Sequence, residues 1–163
     1  MFGDARLRRI AAFLDSIGIA VAPGRVEVRT AFPGVLIQRG GLVVDEAALL
    51  SPGDVIHEAG HVALAPPGRR QADFGFVENA DDGEEIAVIA WCWAAIHRLG
   101  LAPEEVFHGT AYLRGDSPTL IEEGRRGNYI GFPLLQAWGM AYDEANARAR
   151  GVEPFPHMVR WLR

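Results

Sequence analysis

The sequence has little cysteine, no excess of positive charge and no long apolar run. Its single cysteine, Cys92, cannot form an internal disulfide, and its apolar neighbours favour a small buried side chain over a nucleophile. A net charge of −5 at pH 7 provides no basic surface for nucleic acid. The most apolar run, 86–96, is much too short to span a membrane. These deficits exclude a disulfide scaffold and argue against nucleic-acid and membrane partners.

The composition is that of one globular domain. The chain has 163 residues, of which 49% are hydrophobic and 23% charged. Residues 1–14 lack the uninterrupted apolar stretch of a signal peptide, so we expect a cytoplasmic protein. Richness in Gly, Ala and Arg is typical of a bacterial chain from a GC-rich genome. Because no repeat or linker interrupts 1–163, we predict a single domain.

The motif H-E-x-x-H, from His57 to His61, is the feature that carries chemistry. Residues four apart share one face of a helix, so these two imidazoles can bind the same metal ion. Glu58 projects from the flank of that face, where it can accept a proton from a water molecule activated by the metal. The motif therefore predicts a metal-dependent hydrolytic site.

The flanking sequence predicts a buried helix of about four turns around the motif. Ser51 is suited to be its N-cap, Pro52 its first residue and Asp54 its third. Residues 66–68, Pro-Pro-Gly, then end it. We therefore expect the two histidines to be held by a rigid element.

The rest of the pattern predicts an α+β, mainly helical domain with a small antiparallel sheet packed on the motif helix. A half-exposed strand is expected within 19–32, where Val26, Val28 and Thr30 alternate with charges. Gly-Gly between the apolar runs 35–38 and 42–45 predicts a hairpin. Periodicity and end signals predict further helices over 4–17, 84–99, 103–113, 117–124 and 132–149. The apolar C-terminal segment predicts packing on the same domain or a homodimer.

A hydrolytic zinc site has a third protein ligand. The local candidates are Glu78, Asp81, Asp82, Glu84 and Glu85. The residues after the motif lack the glycine and the following His or Asp of a metzincin. Glu85 shares the most apolar stripe of its predicted helix with Ile89 and Cys92, whereas Glu84 shares a stripe with Arg98. We therefore favour Glu85 over Glu84, whose alternative role is to stabilise the helix N-terminus.

The motif, with Glu85 following 24 residues after His61, resembles the gluzincin arrangement. Size and element order are similar to small bacterial zincin domains of the ImmA/IrrE type, over about residues 35–99. The resemblance implies a minimal zincin-like fold and a zinc metallopeptidase with His57, His61 and Glu85 as ligands and Glu58 as general base. It also implies that the edge strand of the sheet holds a peptide or protein substrate in extended form.

The chain departs from the gluzincin pattern in the support of its ligands. Gluzincins often carry Asp or Asn four residues after the ligand Glu, and Ile89 stands there instead. Support must then come from elsewhere. The candidates are Asp54, Asp81 and Asp82. The motif also resembles that of FtsH-type proteases, whose third ligand is a distant Asp, here Asp116 or Asp143.

Zincins often take a donor for the reacting carbonyl oxygen from a Tyr or His outside the motif. His108 and Tyr112, which share a face of the predicted helix 103–113, are the catalytic candidates beside Glu58, with Tyr129 as a further one. The alternative function is a catalytically inactive zinc-binding domain with a binding or regulatory role, in which His108 is available as a fourth ligand. A third hypothesis is a domain of this fold without metal.

Overall fold

A computed structural model of the chain describes residues 1–71, 82–109 and 117–163, with Asp82 described by its backbone alone. Its helices are α1 (Ala5–Ser16), α2 (Asp54–Leu64), α3 (Pro67–Arg70), α4 (Asp82–Leu99), α5 (Pro103–Val106), α6 (Ser117–Arg125), α7 (Phe132–Ala137) and α8 (Glu144–Arg150). Its strands are β1 (Val21–Pro23), β2 (Val35–Gln38) and β3 (Gly41–Val44). The prediction of an α+β, mainly helical fold with a small sheet is confirmed.

The three strands form a mixed sheet in the order β1-β3-β2. The predicted hairpin is present, and its turn residues Arg39 and Gly40 have φ of 50° and 74°. Two positive φ values are what a two-residue type I′ turn requires. β1 runs parallel to β3, so the sheet is not wholly antiparallel as predicted.

A strand lies within 19–32 as predicted, but it is Val21–Pro23; the pairing expected around Val26, Val28 and Thr30 was wrong. Val28 is 57% exposed, so the apolar side of the alternating pattern does not pack against the core at this residue. Pairing with β3 occurs earlier because α1 and the turn at Gly18 deliver the chain to that edge.

Helix α2 lies between the hairpin on one side and α4 on the other. Every residue of α2 is buried, which is unusual for a segment holding two histidines and two carboxylates. The apolar stripe of α4, with Val88, Trp91 and Cys92 fully buried, supplies the opposing surface. The core of the domain is therefore apolar except where the two histidines and two carboxylates of α2 lie.

Helix α2 begins later than predicted, at Asp54, and its 11 residues make about three turns instead of four. Ser51 lies in a tighter turn before the helix, where Asp54 N donates to its carbonyl oxygen. Its Oγ accepts from Gly53 N at 3.2 Å and donates to the Glu105 carbonyl at 2.6 Å. The helix ends before Pro66 as predicted.

The helix predicted over 132–149 is two helices, α7 and α8. Gly139 has φ of 68°, and Met140 N donates to Leu135 O at 2.9 Å, which closes α7 in the manner of a Schellman motif. Asp143 then caps α8 by accepting from Asn146 N at 2.7 Å. The glycine inside the periodic pattern was the signal for the break.

The helix predicted over 103–113 ends at Val106. Phe107 has a ψ of 57°, so the chain leaves helical geometry before His108. The part of this prediction beyond Gly109 falls on 110–116, outside the described residues. His108 is therefore placed by a loop, and not on a helical face as predicted.

The C-terminal segment packs on the body of its own chain. The Trp91 indole N–H donates to the Trp161 carbonyl at 3.0 Å, and Arg163 N donates to Ala63 O at 2.9 Å. The Trp161 ring meets Phe13 edge to face, with centroids 4.8 Å apart. Of the two outcomes predicted for this segment, the first is observed, and the segment packs against the last turn of α2 and the middle of α4.

Candidate metal centre

His57 and His61 lie one turn apart on α2 with their rings turned toward each other. Their Nε2 atoms are 3.2 Å apart, and the ring planes meet at 67°. Both residues are buried, with 4% and 8% exposure. Two imidazole nitrogens therefore face the same small volume inside the protein.

Helix α4 brings Glu85 to the same volume. Its Oε1 lies 3.3 Å from His57 Nε2 and its Oε2 lies 3.4 Å from His61 Nε2. In the part of the chain that the structure describes, these three residues form the one cluster of ligand-type side chains with atoms within 4.8 Å of one another. The carboxylate favoured from the apolar stripe is thus the one that meets both histidines.

The spacing of these atoms fits a tetrahedral metal ion. Zinc bonds of about 2.0–2.2 Å at tetrahedral angles place neighbouring ligand atoms about 3.3 Å apart. The His57–His61 distance of 3.2 Å and the shortest His–Glu85 distances of 3.3 and 3.4 Å lie close to that value. Two imidazoles and one carboxylate also leave a fourth position open, as in catalytic sites of the His₂Glu type.

The two histidines differ in their proton affinity. Burial, with a smaller contribution from His61, lowers the pKa of His57 well below its usual range. Burial also lowers the pKa of His61, but the nearby Glu84, Glu58 and Glu85 carboxylates outweigh it and leave that pKa raised. His57 is therefore neutral at pH 7, with a lone pair available for a metal.

Glu58 is buried beside the histidines, with 6% exposure. Burial is the main cause that raises its pKa to about 7, with further increases from Glu85 and Asp54 and an opposing effect of His61. A carboxylate with this pKa exchanges its proton near neutral pH, as a general base in hydrolysis must.

Glu84, adjacent to the candidate ligand, faces the other nitrogen of His61. Its Oε1 lies 3.9 Å from His61 Nδ1, and its side chain is 27% exposed. Among the described residues, His61 Nδ1 has no hydrogen-bond partner although it is buried. The sequence favoured a role for Glu84 at the helix N-terminus and carried no signal of this juxtaposition, which depends on how α4 crosses α2.

His108 contacts Asp54, one turn before His57 on α2. Its Nε2 lies 2.6 Å from Asp54 Oδ1, and the other carboxylate oxygen accepts from Ser51 N at 3.0 Å. Asp54 is fully buried and His108 largely so. Both oxygens of Asp54 are thus engaged at the start of the helix, and neither supports a ligand histidine.

The remaining candidates are placed elsewhere or are not described. Tyr129 lies among Trp93, His97 and Phe155, with its Oη 3.4 Å from His97 Nε2. Asp143, one of the two alternative distant ligands, caps α8 and is not part of the His57–His61–Glu85 cluster. Glu78, Asp81, Tyr112, Asp116 and the side chain of Asp82 lie outside the described residues.

Phe32 forms a wall of the site and was not among the residues predicted from the sequence. Its ring centroid lies 4.7 Å from that of His57, and the residue is 7% exposed. It precedes β2, so the hairpin side of α2 contributes an apolar surface against one ligand histidine. The only signal in the sequence was an aromatic residue just before a predicted strand.

Comparisons of the chain with protein-family models, with curated proteins and with solved structures found no match. The fold and the site are therefore described by the structure alone: an α+β, mainly helical domain in which the buried His57 and His61 of α2 meet the partly buried Glu85 of α4.

No helix within residues 1–71, 82–109 and 117–163 has both the length and the apolar character needed to cross a bilayer.

Proposed function

We propose that this protein is a zinc-dependent hydrolase, a metallopeptidase of the zincin type acting on a peptide or protein substrate. The observation that carries the proposal is the meeting of His57 Nε2, His61 Nε2 and the Glu85 carboxylate within 3.2–3.4 Å, next to the buried Glu58. Zinc is chosen because it is the usual metal of two imidazoles and one carboxylate with an open position.

The residues divide the chemistry between them. Zinc bound by His57, His61 and Glu85 would supply a Lewis acid and bring the pKa of a water molecule toward 7. Glu58 accepts a proton from the attacking water molecule and then donates it to the leaving amine nitrogen. Phe32 and the buried surface of α2 restrict bulk water around these groups. The assignment of His108 and Tyr112 as further catalytic groups remains a sequence-based prediction.

The hairpin offers a place for an extended peptide. Among the described strands, β2 pairs with β3 on one side and has no strand on the other. β2 also packs against α2, the helix that carries both histidines. A peptide added along this edge would form main-chain hydrogen bonds with β2 and run past the metal centre.

A cytoplasmic location belongs to the same proposal. The single cysteine is fully buried in α4, and burial raises the pKa of the Cys92 thiol well above its usual range. A buried, protonated thiol suits a reducing compartment and needs no partner.

The test combines zinc binding with peptide cleavage. Zinc affinity is measured by competition with a chromophoric chelator, and cleavage is followed by mass spectrometry over a peptide library. We expect the wild type to bind one zinc ion and to cleave a subset of peptides. Glu58→Gln keeps the zinc affinity but loses at least about 100-fold in rate, because the general base is gone. Glu122, an exposed residue of α6 that pairs with Arg126, provides the matched control. We expect Glu122→Gln to keep both the zinc affinity and the cleavage rate of the wild type.

Two results separate this proposal from its alternatives. Zinc binding without cleavage of any peptide identifies a zinc-binding domain with a binding or regulatory role. Absence of zinc binding by the wild type overturns both the hydrolase and the zinc-binding domain.

A further inference from the structure

The second nitrogen of His61 lacks a hydrogen-bond partner in a buried position. His61 is 8% exposed, and its Nδ1 makes no hydrogen bond within the described residues. A buried imidazole N–H without an acceptor costs about 1–3 kcal/mol, so such atoms are rarely left alone. The groups around Nδ1 therefore indicate which acceptor its hydrogen bond would use.

The orientation of the ring makes Nδ1 the donor. Nε2 of His61 faces His57 Nε2 at 3.2 Å and Glu85 at 3.4 Å, which is the side of the metal centre. When one ring nitrogen acts as a ligand, the other carries the proton and donates it to a carboxylate, a carbonyl or water. The acceptor must accordingly lie on the Nδ1 side.

Glu84 is the acceptor at hand. Its Oε1 lies 3.9 Å from His61 Nδ1, about 1 Å beyond the 2.7–2.9 Å of a charge-assisted hydrogen bond. The Glu84 side chain is 27% exposed, so it has room to change rotamer. A small rotation brings the carboxylate to the imidazole N–H.

We infer that Glu84 is a positioning residue, which accepts a hydrogen bond from His61 Nδ1 and so holds Nε2 toward His57 and Glu85. This inference rests on the metal site of the proposed function and adds to it a role for the adjacent carboxylate. Two successive residues of α4 then contact the two nitrogens of the His61 ring: Glu85 lies near Nε2 and Glu84 near Nδ1. Ile89, which stands where gluzincins often carry a supporting carboxylate or amide, is buried and has no polar group to offer.

The first readout is zinc affinity, measured by chelator competition. Removing an outer partner of a ligand histidine usually weakens metal binding 10–100-fold, so we expect a loss of about that size for Glu84→Ala. Glu84→Gln retains an acceptor oxygen and recovers part of the loss. Glu85→Ala, which removes a ligand, weakens binding more than Glu84→Ala. Glu122→Ala is the control for loss of an acidic side chain on the surface.

The second readout needs no metal. In the metal-free protein, ¹⁵N NMR of the histidine side chains reports which ring nitrogen of His61 carries the proton, with His61→Gln used for assignment. At a pH where His61 is neutral, we expect more of the proton on Nδ1 in the wild type and in Glu84→Gln than in Glu84→Ala, where the Glu85 carboxylate draws it toward Nε2. A structural effect of Glu84 on α4 alone would lower stability without changing the tautomer.

The outcomes separate this inference from the proposed function. If the wild type binds zinc and Glu84→Ala changes neither affinity nor tautomer, the inference fails and the metal site stands. If the wild type binds no zinc but the His61 tautomer depends on Glu84, the metal site fails and the positioning contact stands. Loss of affinity with an altered tautomer supports both.

Discussion

Gly60 and Val88 meet where α2 crosses α4, at a distance that leaves no room for a side chain. A Cβ atom on Gly60 would lie 2.8 Å from Val88 Cγ1, closer than real carbon contacts. This glycine, the fourth residue of the motif, lets the two helices approach. The approach is what brings Glu85 of α4 within 3.4 Å of both histidines of the motif.

Replacing Gly60 by alanine should therefore disturb both packing and the metal site. Val88 is β-branched and has one strongly preferred rotamer in a helix, so it cannot turn away easily. Overpacking costs about 1–3 kcal/mol, partly offset by about 1 kcal/mol of helix propensity. We expect Gly60→Ala to lower the free energy of unfolding by up to about 2 kcal/mol and to weaken zinc binding, as measured by urea unfolding and chelator competition.

The control for this substitution is Gly68→Ala on α3, where an added Cβ meets nothing within 4 Å. Val88→Ala in the Gly60→Ala background should restore zinc affinity by removing the clash. Unchanged zinc affinity in Gly60→Ala alone would show that the helix crossing does not set the position of Glu85.

Zinc should stabilise the protein through the cluster. A ligand that binds only the folded state adds about 4 kcal/mol at a thousandfold excess over Kd. We expect addition of zinc to raise the Tm of the wild type and chelation to reverse the change. His61→Ala should lose this response, whereas His97→Ala, at the far end of α4 beside Tyr129, should keep it. An equal zinc response in His61→Ala would point to a different binding site.

Glu58 should make the metal-free protein less stable as the pH rises. Its pKa is raised from 4.5 to about 7, mainly by burial, so the folded state holds the proton more tightly than the unfolded state. The stabilising effect of that proton is full below pH 4.5 and is lost as the pH rises through about 7. A shift of this size corresponds to about 3 kcal/mol at pH 8.

Glu58→Gln, which cannot ionise, should accordingly be more stable than the wild type at pH 8 and nearly equal to it at pH 5, both without metal. Thermal unfolding in the presence of a chelator measures the difference. A constant difference between the two pH values would contradict the assignment of the shift to this carboxylate.

The contact between His108 and Asp54 should be structural. Asp54 is fully buried, and its carboxylate accepts from Ser51 N and lies 2.6 Å from His108 Nε2. Removing it takes away the acceptor of Ser51 N and the contact of His108 Nε2 in a partly buried position, at about 1–3 kcal/mol for a lost hydrogen bond. We expect Asp54→Ala to lose at least about 2 kcal/mol of stability, and Asp54→Asn, which keeps an acceptor, to lose less.

His108→Ala provides the complementary measurement. A purely structural His108 lowers stability and leaves the cleavage rate per folded molecule unchanged. A fall in that rate beyond the loss of folded protein would instead support the sequence-based assignment of His108 as a catalytic group.

The features that could be predicted from the sequence are those that depend on local geometry. The spacing of His57 and His61 is a property of any α-helix, so their shared face followed from the motif alone. The hairpin followed from its glycines, and the end of α2 from Pro66. Glu85 was favoured because it lies on the most apolar stripe of α4, and an apolar stripe faces the core. The break at Gly139 also depends on local geometry, but the apolar periodicity on both sides of it predicted one continuous helix.

Contacts between distant segments were decided by the tertiary structure. His108 and Asp54 are 54 residues apart, and their meeting depends on where α5 ends against the start of α2. Likewise, Glu84 lies near His61 Nδ1 because α4 packs closely against α2, an approach that Gly60 permits. The sequence thus determined which side chains share one helix face, because that is a matter of residues three or four apart. Which faces meet, and through which atoms, depended on the close packing of helices that no local pattern encodes.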